Sequence, residues 1–134
     1  MNAVDWLFDG GHSTGRKSDA IRWWEVRRVP YNLIVGFVGL ASIVVMEIVG
    51  EMIVHAGEDF EEPLGLLLGV FMMIVIANVA YTFGWILEVS VSGVDAGRRH
   101  QSRVRRFKKI LGWSCLCASL PAWLSLLLWL VHKA

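Results

Sequence analysis

The stretch "LGLLLGVFMMIVIANVAYTFGWIL", residues 64–87, contains no charged side chain and decides the fold class of this chain. A helix needs roughly 20 mostly apolar residues to cross about 30 Å of hydrocarbon, and this stretch reaches that length. Two further charge-free runs, Leu33–Met46 and Ile110–Val131, lie on either side of it. The sequence therefore predicts an all-α integral membrane protein with three transmembrane helices. The predicted spans cover about 30–55, 64–90 and 108–132.

The composition is typical of a membrane protein rather than a soluble domain. Hydrophobic residues make up 55% of the chain and charged residues only 19%, against about 25% charged residues in a typical soluble domain. Residues 1–18 carry acidic side chains where a secretory signal peptide would be basic, and they lack its apolar core. We therefore expect no cleaved signal, and the glycines of this segment predict a flexible N-terminal tail.

Residues 19–29 combine tryptophan and arginine in a helical pattern just before the first span. Ser18 or Asp19 can cap such a helix, and tryptophan side chains favour the headgroup zone of a membrane. Arginine at the same depth favours anionic lipid. The pattern predicts a short amphipathic interfacial helix that lies flat on the membrane, with a docking surface for another protein as the alternative.

Lysine and arginine are concentrated before the first span and between the second and third spans. Cytoplasmic segments carry an excess of these residues, so we expect both segments inside the cell. The anchors predicted to face lipid are Trp23, Trp24, Arg27, Arg28, Arg98, Arg99, Arg103, Arg105, Arg106, Lys108 and Lys109. A bacterial inner membrane is the simplest location, with the lipid bilayer and its anionic lipids as partners and no nucleic acid.

The connection between the first and second spans carries four acids and no base. These acids are Glu58, Asp59, Glu61 and Glu62. We expect this connection outside the cell together with the C-terminus. There the four acids would form an acidic mouth that concentrates cations.

Polar and small residues form one stripe on each of the first two spans. At about 100° per residue, the stripe on the first span falls within about 120° of arc. It comprises Asn32, Gly36, Gly39, Ile43, Glu47, Gly50 and Glu51. The stripe on the second span comprises Asn78, Tyr81, Thr82, Trp85 and Glu88. Such stripes face protein rather than lipid, so we expect them to pack against other helices.

Three spans are too few to bury both stripes, so we expect assembly with further copies or with another membrane protein. The predicted helix-packing positions are Gly36, Gly39, Gly50, Gly65 and Gly69, of which the last two form a GxxxG pattern. Asn78 should form a hydrogen bond with another helix. Glu88 should pair with Arg27 or Arg28, which lie at the same end of the spans.

Glu47 and Glu51 lie one helical turn apart near the outer end of the first span. Two ionised carboxylates at this spacing repel each other in a low dielectric. A protonated carboxyl, a base such as His55, or a bound cation would relieve the repulsion. Charged groups inside spans commonly mark ion paths. The residues expected in a cation path or in polar packing are therefore Glu47, Glu51, His55, Asn78 and Glu88, with a structural pair and a metal site as alternatives.

Two motifs near the N-terminus match enzyme signatures in spacing alone. Gly11–Gly15 has the spacing of a nucleophile elbow, and residues 10–18 are one residue away from a phosphate-binding loop. Both motifs need a preceding strand, and none is predicted, so we expect no enzyme, metal or cofactor. The functional hypothesis is an oligomeric, channel-like protein with a cation path near Glu47 and Glu51. The alternative is a non-conducting accessory or anchor subunit of a larger membrane complex.

Overall fold

The structure is a computed structural model in which the ordered elements of the described residues are all helices. It describes residues 2–9, 17–53, 63–90 and 96–133. The helices are α1 (Ala3–Leu7), α2 (Lys17–Glu51), α3 (Pro63–Ser90) and α4 (Ala96–Lys133). Three of them, α2, α3 and α4, are long and apolar enough to cross a membrane. The predicted all-α class with three such helices is confirmed.

Helix α2 is one continuous helix of 35 residues, which corrects the prediction of a separate interfacial helix at 19–29. Pro30 lies inside α2, although proline removes one helical hydrogen bond and disfavours a helix interior. Trp24 before the proline and Tyr31 after it are both fully buried in the same core. Packing on both sides of Pro30 therefore keeps α2 helical across the predicted boundary.

Helix α4 is also longer than predicted, because it begins at Ala96 rather than near residue 108. The basic segment that was expected to be a loop is therefore an extension of the third span. Arg103 and Phe107 lie four residues apart on one face of this extension, and both are buried. The contacts of these two side chains with the core support the extension.

The three long helices all contact one another, and α3 runs opposite to α2 and α4. In the most apolar stretch of α2, 33% of the residues are buried, whereas the corresponding share is 11% in α3 and 11% in α4. Helix α2 is therefore the most buried of the three. We call the end with the N-termini of α2 and α4 the basic end, and the opposite end the far end. Trp24, Glu88 and Arg103 bring all three helices together at the basic end.

Four fully buried aromatic side chains form the core at the basic end. They are Trp24 and Tyr31 of α2, Tyr81 of α3 and Phe107 of α4. Neighbouring ring centroids in this cluster lie 4.6–6.4 Å apart, within the range in which aromatic pairs attract each other. Gly84 of α3 lets this cluster pack closely, because an added Cβ would meet the end of the Ile110 side chain and lie 3.1 Å from the Trp24 ring.

Two buried serines form hydrogen bonds beside Pro121, which lies inside α4, and one of them joins α2 to α4. The backbone N–H of the next residue, Ala122, donates to Ser42 Oγ of α2 at 2.9 Å. The Ser125 hydroxyl donates to the carbonyl oxygen of Ala122, also at 2.9 Å. Proline disturbs the hydrogen bonds of the helix around it, and here the Ser42 hydroxyl gives the N–H that follows Pro121 an acceptor from a neighbouring helix.

Helix α3 separates from the other two helices toward the far end. Its buried residues, among the described side chains, are Ala77, Tyr81, Gly84 and Glu88. From Gly65 to Ile76 no residue of α3 is buried. A groove of about 820 Å³ lies in this region between α3 and α4, with residues of α2 also lining it. Among the described residues, all three helices therefore pack closely at the basic end, whereas in the far half α2 and α4 stay in contact and α3 is largely uncovered.

Candidate functional site

Residues 2–9 dock on the basic end through Arg27, which corrects the prediction of a flexible tail for this part of the N-terminal segment. The Arg27 guanidinium donates to the carbonyl oxygens of Trp6, Leu7 and Asp9 at 2.6, 3.0 and 2.9 Å. The last carbonyls of a helix have no intrahelical partner, so Arg27 caps the C-terminus of α1. Arg27 is 5% exposed, and it therefore does not face lipid as predicted.

Trp23 connects the docked N-terminal residues to the core, which corrects its predicted lipid-facing position. Its Nε1–H donates to the carbonyl oxygen of Asp9 at 2.8 Å. The Arg27 guanidinium lies over the Trp23 ring, with Cζ 4.2 Å from the ring centroid. The centroids of the Trp23 and Phe107 rings are 5.6 Å apart. The Asp9 carbonyl oxygen and the Arg27 guanidinium thus give Trp23 the polar partners that it would otherwise find in the lipid headgroup region.

Glu88 of α3 binds two buried side chains at the basic end, one from α2 and one from α4. Arg103 Nε donates to Glu88 Oε1 at 2.6 Å, and Arg103 Nη2 lies 2.5 Å from the same oxygen. Trp24 Nε1 donates to Oε2 at 2.8 Å. The Arg103 and Glu88 side chains are only 3% and 6% exposed. Glu88 therefore pairs with Arg103 rather than Arg27 or Arg28, and neither Trp24 nor Arg103 faces lipid.

The other predicted basic anchors differ in exposure. Three of them are exposed on α4, namely Arg105, Lys108 and Lys109. Arg106 is half-buried. Arg98 and Arg99 lie on α4, but their side chains fall outside the described residues. Contact of the exposed side chains with lipid stays a prediction.

A line of polar side chains follows the contact between α2 and α3 on one side of the bundle. We call it the polar edge, and it comprises Arg28, Asn32, Gly36 and Glu47 of α2 with Asn78 and Thr82 of α3. Asn32 and Asn78 exchange two hydrogen bonds, with Nδ2–Oδ1 distances of 3.4 and 3.2 Å. Arg28 Nη2 donates to Thr82 Oγ1 at 3.2 Å. These four polar side chains are half-buried, so polar groups reach the surface within two candidate spans.

The glutamates of the predicted ion path lie at the far end of α2. Glu47 is half-buried and Glu51 is exposed. Within the described part of the chain, neither side chain has a hydrogen bond or an ion pair. His55 and the predicted acidic mouth, residues 58–62, lie outside the described residues. No group of three His, Cys, Asp or Glu side chains in the described ranges could hold a metal ion.

The glycines predicted as packing positions fall into two groups. Gly39 and Gly50 are buried, and a Cβ at Gly39 would lie 2.6 Å from Cε of Met73 on α3. The others are exposed, with no atom within 4 Å of an added Cβ, and they are Gly36, Gly65 and Gly69. Among the described residues, no helix packs closely against the GxxxG pattern of α3.

The groove between α3 and α4 is apolar along most of its length. Its lining includes Gly69 and Met73 of α3 and Leu124 of α4. Lys109 is the charged residue among the described residues that line it, and it lies at the end nearer the basic end. From Lys109 to Leu124 the groove extends about 22 Å along α4, at 1.5 Å per residue. One end of an elongated apolar space thus carries a cation.

Sequence reasoning missed the hydroxyl contacts that connect the helices inside the bundle. The Tyr31 hydroxyl donates to the carbonyl oxygen of Ala77 at 2.9 Å and lies 2.6 Å from Ser114 Oγ. The Tyr81 hydroxyl donates to the carbonyl oxygen of Trp24. A tyrosine in an apolar run needs a partner for its hydroxyl, which signals a helix contact. The identity of that partner is decided by how the helices pack.

Three helices of this length and apolar composition indicate an all-α protein located in a membrane. No protein-family model, no curated protein and no solved structure matches the chain. The polar edge, the buried network around Glu88 and the open groove are the features that bear on function.

Proposed function

We propose that the protein is an integral membrane protein whose copies associate along the polar edge to form a homo-oligomer. The observation that carries the proposal is the half-exposed amide pair of Asn32 and Asn78 within two candidate spans. Each amide offers two N–H donors and a carbonyl acceptor. Asn78 Nδ2 donates to Asn32 Oδ1 and to the carbonyl oxygen of Ile74 at 3.0 Å, whereas the second N–H of Asn32 has no acceptor among the described residues. Unpaired polar groups are costly in hydrocarbon, and an amide of a second copy at this contact would accept from Asn32.

The surroundings of this amide pair suit the approach of another helix. Gly36 lies one turn beyond Asn32, and the space above it is open. Small residues at such positions let helix backbones approach closely in lipid. Copies that insert in the same orientation meet with the same residues at the same depth, and amides can both donate to and accept from one another.

The distribution of charge supports an orientation with the basic end in the cytoplasm. Exposed cations are grouped at that end of α4, whereas Lys133 lies at the far end. By the positive-inside rule, the far end, the acidic residues 58–62 and the C-terminus would lie outside. A bacterial inner membrane remains the simplest location for this arrangement.

Native mass spectrometry of the protein purified in mild detergent tests the assembly. We expect one defined oligomer for the wild type and a shift toward monomer for Gly36→Leu, because the larger side chain fills the contact. Gly112→Leu is the matched control, since Gly112 of α4 also faces open space but lies away from the polar edge. Asn78→Leu should weaken association about three- to thirtyfold, from about 0.6–2 kcal/mol per hydrogen bond between helices.

Two results would contradict a homo-oligomer. One is a wild-type protein that stays monomeric at every concentration tested. The other is a different polypeptide that is retained through purification and is required for a defined mass. This second result would favour the alternative, a non-conducting accessory or anchor subunit that uses the polar edge as its docking face.

A second candidate function is a cation path at the contact between copies. Glu47 favours it, because this carboxyl lies on the polar edge, is half-buried and has no partner among the described residues. In a parallel oligomer the Glu47 side chains of all copies would lie at the same depth in the membrane. A bound cation or a proton would relieve the repulsion between their carboxylates. Aromatic rings fill the described core at the basic end, so we place the path between copies rather than inside one bundle.

A further inference from the structure

We propose that the groove between α3 and α4 binds a phospholipid with an anionic headgroup, with an acyl chain along the groove and the phosphate at Lys109. The groove face of α3, which includes Gly69 and Ala80, lies roughly opposite Asn78 and Thr82 of the polar edge. The lipid site and the assembly contact are therefore separate surfaces, and each can be tested without the other.

The shape and lining of the groove fit a hydrocarbon chain. Its volume of about 820 Å³ falls within the range of about 300–1,000 Å³ that is usual for ligand sites. Its length of about 22 Å compares with a hydrocarbon thickness of about 30 Å. Met72 and Met73 line it, and methionine side chains adapt readily to an irregular apolar ligand.

The charge at one end of the groove selects an anionic headgroup. Lys109 directly precedes the charge-free run of α4, which places its ammonium group at the boundary of the apolar region. Trp113, one turn further along, also lines the groove and is 67% exposed. Lysine and tryptophan favour the membrane interface, and the exposed Arg105 and Lys108 nearby add to the positive potential.

The same features favour a lipid over a helix from another chain. The Met73 side chain reaches from α3 to α2, where its Cε lies 2.6 Å from the position of a Cβ on Gly39. The Met73 side chain therefore occupies the floor of the groove, where a helix about 10 Å wide would have to fit. An apolar helix would also leave the Lys109 ammonium group without an anion, whereas a lipid phosphate provides one.

Native mass spectrometry with added lipids tests the headgroup preference. The protein in detergent is titrated with phosphatidylglycerol and, in parallel, with phosphatidylcholine of the same acyl chains. We expect the wild type to retain phosphatidylglycerol about fivefold more strongly than phosphatidylcholine, because a cation near an anionic headgroup contributes about 1 kcal/mol. Lys109→Gln should remove this preference. Lys133→Gln removes the same charge at the far end and should leave the preference unchanged.

A second variant tests the groove itself. Gly69 lines the groove and faces open space, so Gly69→Leu should fill it and reduce retention of both lipids by at least fivefold. Gly112→Leu, at an open position outside the groove, should retain lipid like the wild type. Equal retention of the two lipids by the wild type would overturn the proposal, as would unchanged retention in Gly69→Leu. A changed oligomer mass in Gly69→Leu with unchanged lipid retention would instead identify a second copy as the occupant.

Discussion

At the residue scale, the carboxylate of Glu88 joins three helices. It accepts hydrogen bonds from Arg103 of α4 and Trp24 of α2, and it is itself part of α3. Both members of the ion pair are almost completely shielded from solvent. Removing one partner of such a pair leaves a buried charge without compensation, which costs far more than the loss of an exposed pair.

We therefore predict that Glu88→Gln destabilises the protein by about 3–5 kcal/mol. The measurement is the thermal unfolding midpoint in detergent. The control is Glu25→Gln, which removes an ion pair with Arg28 whose side chains are 45% and 36% exposed and should cost at most about 1 kcal/mol. Arg103→Gln should resemble Glu88→Gln, and the double variant should cost less than the sum of the two. Equal midpoints for Glu88→Gln and Glu25→Gln would show that the pair contributes little.

At the scale of elements, α1 depends on α2. A helix of five residues is far too short to be stable alone. Its last carbonyl oxygens are bound by the Arg27 guanidinium, and Phe8 beside it packs 6.2 Å from the Phe107 ring. The docked conformation of residues 2–9 is thus a property of the surface formed by α2 and α4.

Arg27→Lys should release this segment while keeping the positive charge. Lysine lacks the planar fork of donors that reaches three carbonyl oxygens at once. Hydrogen exchange at the amides of Trp6 and Asp9, which donate to Asn2 and Trp6 in the docked segment, should approach the rate of an unstructured peptide. Arg22→Lys, at an exposed position of α2, is the control. Unchanged protection in Arg27→Lys would mean that aromatic packing alone holds the segment.

At the scale of the whole molecule, the two ends of the bundle are built differently. Aromatic rings, the Glu88 network and the docked N-terminal residues fill the basic end. In the far half, α3 exposes every described residue from Gly65 to Ile76 at least in part. The closely packed side chains therefore lie at the basic end, and the exposed apolar surface of α3 lies in the far half.

The cation path makes a prediction for the assembled protein in liposomes. Wild-type oligomer should conduct cations, and Glu47→Gln should lower the flux about tenfold, which corresponds to about 1.4 kcal/mol in the barrier. The oligomer mass of Glu47→Gln should stay that of the wild type. Glu25→Gln, at the basic end, is the control for a changed net charge. A wild-type oligomer that conducts nothing would eliminate the path and leave the assembly proposal in place.

The sequence by itself determined the three membrane-length helices. Long charge-free runs such as Ile110–Val131 fix the spans locally, because hydrocarbon tolerates neither free backbone groups nor many charges. The stripe positions of Asn32 and Asn78 also follow from helical spacing, and these residues do meet. Such features depend only on the type of residue and on its position in the helical repeat.

The tertiary structure alone decided which polar and aromatic side chains are buried inside the bundle. Trp24 and Arg103 have the chemistry of interfacial anchors, yet they lie in the core beside Glu88. The physical reason is that a tryptophan N–H or a guanidinium is satisfied equally well by a headgroup or by a buried carboxylate. The position of α3 decides between the two, because it carries Glu88 to the basic end and leaves Gly65–Ile76 uncovered.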